Sequence, residues 1–276
     1  MKIGGEEKAP SLKMTDFPKI IHQSWANESL REDYKKYSQT WKDLHPDYEY
    51  ILWTDEDNLN LIKEEDPSFL NDYNSYNHYI KRADAARYYY MYKHGGIYAD
   101  LDFECLRNFD ILLDDNYVFD VIVGNCAEEV SQTPNALMIS KPKANFWLHL
   151  ICLMKERINC GSPPYDTGPE LLGEAIKTYK HKDAIKMVDA EVFYELMWQE
   201  HVSNGTVKHF SLQNYKEFEK LTTEQKLLNA PNSYAVSYWS ESWKRIPDKN
   251  EKFTGTTQRG ILSNSMTIKA DKNPWV

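Results

Sequence analysis

Residues 80–104 read IKRADAARYYYMYKHGGIYADLDFE, and this stretch decides the fold. From Tyr76 to His94 the sequence predicts a helix, and the pair Gly95-Gly96 ends it, since glycine is the residue that tolerates the left-handed turn closing a helix. Beyond the glycines, Ile97, Ala99, Leu101 and Phe103 alternate with Tyr98, Asp100, Asp102 and Glu104. That period of two predicts a strand over 97–103 with three carboxylates aimed to one side. Crowded like charges are unfavourable unless they are solvated or share a cation, and hard carboxylate oxygens suit Mg²⁺ or Mn²⁺. A solvated acidic strand edge accounts for the local pattern equally well.

Working outward, the same alternation of elements continues. Strands are predicted over Pro18 to Trp25, Tyr48 to Trp53, Tyr117 to Gly124 and Ala136 to Ser140, and helices over Glu28 to Leu44, Asp55 to Glu65 and Lys143 to Ile158. Strand and helix in alternation imply an α/β sheet, whose ligands gather beyond the carboxyl ends of the strands. The turns after Trp25, Trp53 and Phe103 therefore matter most. Residues 1–16 read as a flexible leader, 17–245 as one domain, and 246–276, rich in Lys, Asp, Asn, Thr and Gly, as a loosely packed tail.

Composition narrows the function classes. The 276 residues carry 42 acidic and 33 basic side chains, a net charge of −9, so a nucleic-acid backbone is not the expected partner. Eight Trp, 19 Tyr and 10 Phe supply rings that fill cores and stack on bases or sugars. The most apolar run, Phe146 to Met154, is too short to span a bilayer, which takes about 20 residues. No secretory or transit signal is expected at the amino terminus. Cys105, Cys126, Cys152 and Cys160 form no C-x-x-C pair, which disfavours a zinc site or disulfide framework and makes a reducing, cytoplasmic setting the simplest expectation.

Individual motifs carry competing readings. Two Asp-x-Asp pairs occur, and chance alone supplies about one in a chain of this aspartate content. Asp55 and Asp57 open a predicted helix, where capping is the better reading. Asp84 and Arg87 share a helix face three residues apart; the plain alternative is a surface ion pair, but Ala83, Ala85 and Ala86 around them suggest close packing. Gln23 and Trp25 end the first strand, where an indole can stack on a base or simply cover the core. Asp166 and Thr167, before Gly168-Pro169, are candidate helix caps. The run SYAVSYWSESW near the end, with Trp239 and Trp243, reads as an edge strand or a lid.

Together these segments resemble the DXD-containing sugar transferases of glycosyltransferase family 32, a group that includes Golgi mannosyltransferases, inositol phosphoceramide mannosyltransferases and bacterial capsule enzymes. The resemblance runs in order through FPKIIHQSW, TWKDLHPDYEYILWTDED, the stretch quoted above, DTGP and YWSESW, over residues 17 to 243. It implies a GT-A type fold, a single Rossmann-like nucleotide-diphosphate-sugar-binding domain with helical additions. It also implies retaining, divalent-metal-dependent transfer of a hexose from a UDP- or GDP-sugar to a hydroxyl of a glycan, glycolipid or protein acceptor. On that basis Asp100 and Asp102 match the metal-holding DXD, Asp84 and Arg87 match the pair near the donor ribose and sugar, and Trp25 matches the aromatic against the base. Gln23, Tyr98 and Trp243 are further candidate donor contacts. Related sequences often carry histidine before the residue matching Trp239, where this chain has Ser237 and Tyr238. Two rivals remain from other classes: a haloacid-dehalogenase-type phosphatase, which also uses D-x-D and would release phosphate from generic monoesters, and a non-catalytic carbohydrate-binding protein, whose sugar binding would survive chelation and Asp102→Asn.

Overall fold

A computed structural model describes residues 17–125, 133–196, 201–203, 206–208 and 212–240. The expected leader and tail, Cys126 and the candidate Trp243 lie outside the described residues. The elements in order are β1 (Ile20–Ser24), α1 (Glu32–Leu44), β2 (Glu49–Trp53), α2 (Asp55–Glu65), α3 (Leu70–Ser75), α4 (Tyr79–Lys93), β3 (Gly96–Ala99), β4 (Phe103–Cys105), α5 (Asp110–Asp115), β5 (Val121–Gly124) and β6 (Leu137–Ser140). They continue as α6 (Asn145–Lys155), α7 (Pro163–Asp166), α8 (Pro169–Thr178), β7 (Ile185–Val188), α9 (Ala190–Phe193), β8 (His201–Ser203), β9 (Thr206–Lys208), α10 (Leu212–Lys220), α11 (Thr223–Asn229) and β10 (Ala235–Ser237).

Six strands form one sheet in the order β2-β1-β3-β6-β5-β7, with β6 antiparallel to both its neighbours. Two smaller sheets pair β4 with β10 and β8 with β9. Alternation along the strands divides the core between the two faces of the large sheet. Tyr98, Val121, Val123 and Met138 point into a core shared with α2, α4, α6 and α8, while Ile97, Ala99, Ile122, Leu137 and Ile139 join Trp41 of α1 and Phe193 of α9 on the other side. Helices on both faces of a mostly parallel sheet are the expected α/β arrangement. Among the described residues no helix is long and apolar enough to cross a membrane.

The glycine pair works as read, ending α4 and turning into β3. Gly95 and Gly96 have φ of +66° and +88°. A Cβ would stand 2.6 Å from Pro142 N at Gly95 and 2.5 Å from Ile20 O at Gly96, so neither conformation nor space admits a side chain. The helix over Asp55 to Glu65 also has the predicted bounds, and the capping reading of its acids holds. Thr54 Oγ1 accepts from Asp57 N at 3.2 Å, and the Asp57 carboxylate accepts from Thr54 N at 2.9 Å.

Two expectations are corrected. The strand predicted over 97–103 is not continuous: β3 stops at Ala99, and a turn closed by Phe103 N donating to Asp100 O at 3.1 Å carries the chain into β4 of another sheet. Asp100, Asp102 and Glu104 therefore do not share one strand face. Glu104 is buried and accepts from Lys226 Nζ at 2.6 and 2.8 Å and from Tyr238 O–H at 2.5 Å, so its charge is met by a lysine. Asp166 and Thr167 do not cap α8, whose N-cap is Gly168 with no side-chain bond; both side chains reach α4 instead.

Candidate active site

The carboxyl ends of β1, β2 and β3 lie side by side, with Ser24 paired to Trp53 and Tyr98 to His22. Because β6 runs antiparallel, its amino end meets the same edge: Ala99 pairs with Leu137, and Asp100 N donates to Ala136 O at 2.8 Å. Asn135 is thereby delivered beside Asp100. From β3, α4 folds back across the sheet, so its first turns, carrying Asp84 and Arg87, stand over the same edge.

Asp84 and Arg87 are buried, at 6% and 4% exposure, which removes the surface ion-pair reading. The Arg87 guanidinium bridges two carboxylates, 3.2 Å from Asp84 Oδ1 and 3.3 Å from Asp100 Oδ1. It also donates to Asn135 O at 2.9 Å and lies over the Tyr98 ring, 4.6 Å from its centre. Burial alone would lower the Arg87 pKa, but Asp100, Tyr98 and Asp84 outweigh it and hold the side chain charged. Its Nε–H is buried with no acceptor among the described residues. Asp84 accepts from Asn135 Nδ2 and from Thr167 O–H, each at 3.1 Å. Burial pushes its carboxyl up to about 6 against the opposing pull of Arg87, with Asp100 adding to the rise.

Asp100 and Asp102 flank the turn between the two sheets. The Asp100 side chain is 35% exposed; its Oδ1 takes the Tyr98 hydroxyl at 2.6 Å as well as Arg87. Asp102 is partly buried, and its Oδ2 accepts from Ser240 N at 2.8 Å. Its carboxyl is also pushed up to about 6, first by burial and then by the neighbouring Asp100 charge. Two hard carboxylates set this close, with the Asp100 charge raising the proton affinity of Asp102, are a fitting pair for a divalent cation. Among the described residues no third His, Cys, Asp or Glu completes a cluster with them. Tyr238 does not offer itself: its hydroxyl goes to Glu104, and Ser237 Oγ accepts from Trp239 N at 3.1 Å.

The remaining candidates take distinct places. Trp25 is partly exposed and packs edge-on against Tyr34 at 5.1 Å, on a cluster that also holds Tyr37 and Leu101, the residue between Asp100 and Asp102. Gln23 is fully buried; its amide accepts from the Tyr50 hydroxyl at 2.7 Å and donates to Asp100 O at 3.3 Å, bracing the turn from below. Tyr98 is likewise buried with its hydroxyl on Asp100. Sequence reading missed Asn135 altogether and took Thr167 for a cap. Neither residue type has a pattern of its own, and Thr167 reaches Asp84 across 83 residues.

Residues 31–119 match the model of the glycosyltransferase sugar-binding region containing a DXD motif. The chain is 36% identical over 206 residues to mannosyl phosphorylinositol ceramide synthase CSH1 of Saccharomyces cerevisiae, covering 72% of this chain and 48% of that protein. It is 39% identical over 168 residues to synthase SUR1 of the same yeast, covering 59% and 42%. With inositol phosphoceramide mannosyltransferase 3 of Schizosaccharomyces pombe it shares 50% over 96 residues, 35% of this chain and 27% of that one. The chain thus spans about half or less of the length of these curated relatives. Among solved structures, the ligand-free glycosyltransferase domain from the YGT toxin superposes with a TM-score of 0.52 at 9% identity, over 78% of this chain and 89% of that one. At that identity the likeness is one of fold, the GT-A arrangement expected from the sequence.

Proposed function

We propose, from the premise that residues 31–119 are the DXD-containing sugar-binding region of a glycosyltransferase, that this site moves a hexose from a nucleotide diphosphate sugar to an acceptor hydroxyl with retention of configuration. The observation that carries it is the Arg87 bridge between Asp84 and Asp100 at the carboxyl edge of the sheet. One arginine joins a buried carboxylate fit to read sugar hydroxyls to a half-open carboxylate fit to hold a cation.

Asp100 and Asp102 are the residues that would hold Mn²⁺ or Mg²⁺. A bound divalent cation neutralises negative charge growing on the leaving diphosphate. In a chain of net charge −9, a cation held there would also offset the repulsion between that diphosphate and the two aspartates. Arg87, whose Nε–H lacks an acceptor among the described residues, donates to an oxygen of the donor. Asp84 accepts from a sugar hydroxyl and orients C1, while Trp25 stacks on the base. No side chain is assigned as nucleophile, since Asp84 already holds three donors. In the retaining route the acceptor attacks on the face that the diphosphate leaves, and a diphosphate oxygen takes the acceptor's proton.

The names of the yeast relatives support mannose as the hexose and an inositol phosphoceramide-type glycolipid as the acceptor. The deciding experiment is a panel of UDP- and GDP-hexoses assayed for hydrolysis without acceptor, with Mn²⁺ and with excess chelator. Metal-dependent release of one nucleoside diphosphate, lost in Asp102→Asn, is expected. Full turnover in chelator overturns the metal assignment, and release of phosphate from generic monoesters overturns the transferase.

A further inference from the structure

Thr167 lies outside the DXD pair and the helical Asp-Arg pair, yet it closes a ring of hydrogen bonds around Asp84. Its hydroxyl donates to Asp84 Oδ2 at 3.1 Å, with Pro163 O a longer second acceptor at 3.3 Å; Asn135 Nδ2 donates to Asp84 Oδ1 at 3.1 Å and to the Tyr88 hydroxyl at 3.0 Å; and the Tyr88 O–H donates to Thr167 O at 2.6 Å. All four residues are buried. A carboxylate offers about four lone-pair positions. With Arg87 and Asn135 on Oδ1 and Thr167 on Oδ2, one position is left among the described residues, on Oδ2. The Thr167 hydroxyl fixes where it points.

The turn carrying Thr167 is itself anchored at a cost. Asp166 is 0% exposed; its Oδ2 accepts from Lys81 Nζ at 2.6 Å and its Oδ1 from Gly161 N at 2.8 Å, while Lys81, 1% exposed, also donates to Gly161 O at 3.0 Å. Lys81, Asp84 and Tyr88 are three and four residues apart, so one face of α4 grips the whole turn. A buried ion pair is poor value for stability alone, because desolvation offsets its attraction, and α8 draws no cap from it. Its effect is to hold the neighbouring threonine in register with Asp84.

We propose that Thr167 is a positioning residue for sugar transfer: it leaves Asp84 a single aimed acceptor, so that Asp84 reads one hydroxyl of the donor sugar. This rests on the function proposed above, in which Asp84 orients the sugar. The test compares wild type, Thr167→Val, Thr167→Ser and Tyr88→Phe, using metal-dependent hydrolysis of the nucleotide hexose that the panel selects for kcat and KM, with calorimetry for its nucleoside diphosphate (GDP for GDP-mannose, UDP for a UDP-hexose) and circular dichroism for folding. Thr167→Val should lower kcat about ten-fold or more by misdirecting Asp84. Nucleoside diphosphate affinity should stay within about two-fold, because that ligand has no sugar on its diphosphate. Thr167→Ser should restore kcat, and Tyr88→Phe, which loosens the ring without touching Asp84, should lower it in the same direction. In an Asp84→Asn background the Thr167→Val change should cost almost nothing further, the mark of action through one residue. Folded Thr167→Val with wild-type kcat overturns the inference, as does an equal loss of nucleoside diphosphate affinity and melting temperature with kcat intact. If Thr167→Val fails to fold, wild-type kcat in folded Tyr88→Phe overturns it instead. Wild type that hydrolyses no member of the nucleotide-sugar panel overturns the parent function, an outcome recognisable before any variant is made.

Discussion

Arg87 sits between two carboxylates, and the prediction at this site turns on which neighbour is left alone when one is removed. Arg87→Ala strips the cation from a buried acid that already holds a proton up to about pH 6, so the milder Arg87→Lys and Asp84→Asn are the informative changes. Each should lower turnover about a hundred-fold, with nucleoside diphosphate binding little altered, because positioning is lost rather than affinity. Near-normal kcat in both would return the pair to a structural role. Asp102 gives a pH dependence with a definite sign. Its carboxyl titrates near 6, and a cation competes with the proton, so Mn²⁺ affinity should be full above about pH 7 and fall about ten-fold by pH 5. Calorimetry across that range checks it, and a flat profile excludes Asp102 as a ligand. Trp25→Ala should weaken nucleoside diphosphate binding by about 1 to 3 kcal/mol if the ring stacks on the base; loss of acceptor affinity alone would place it elsewhere. Asp84, Arg87, Asp100 and Asp102 are legible in the sequence as candidates, because charge inside an alanine-rich helix and acids after a glycine pair stand out, and the family resemblance sets them above the plain ion-pair and strand-edge alternatives. Asn135 and Thr167 are not: a lone amide and a lone hydroxyl acquire meaning only when the fold brings them to a partner 51 and 83 residues away.

Elements with a strong period were read to within a few residues, and those defined by their partners were not. β1, β2, α2, α4 and α6 have apolar faces of their own, and β10 falls within the run that reads as an edge strand or a lid, whereas β4 and β7, three and four residues long, offer little alternation of their own. The strand over 97–103 was read too long because alternation continued through the Asp100 turn although the hydrogen bonding changed sheets. Local stability follows from that small sheet. Lys226, 2% exposed, is met by both oxygens of Glu104, and Tyr238 stacks on Tyr37 at 4.8 Å while donating to the same carboxylate. Lys226→Met should therefore destabilise the fold by about 3 to 5 kcal/mol by leaving Glu104 buried without its cation, and Glu104→Gln with Lys226→Met together should cost less than the sum. Denaturant melts of the two singles and the double settle this. Gly96→Ala should be at least as damaging, since a Cβ would stand against Ile20 O at a φ of +88°.

Across the whole molecule, the site is assembled where two sheets meet. Asp100 closes a strand of the large sheet and Asp102 precedes the first strand of the small one, with only Leu101 between them. A cation gripping both would work as a rivet between the sheets. Its arrival would then be felt mechanically beyond the donor pocket: backbone amides of β4 and β10 would exchange more slowly with heavy water, and the β4–Lys226 junction would resist denaturant longer. The acids that invite the ion would also make donor loading an act of stiffening, in which the catalyst reaches its full rigidity only with the reaction's own charge in place.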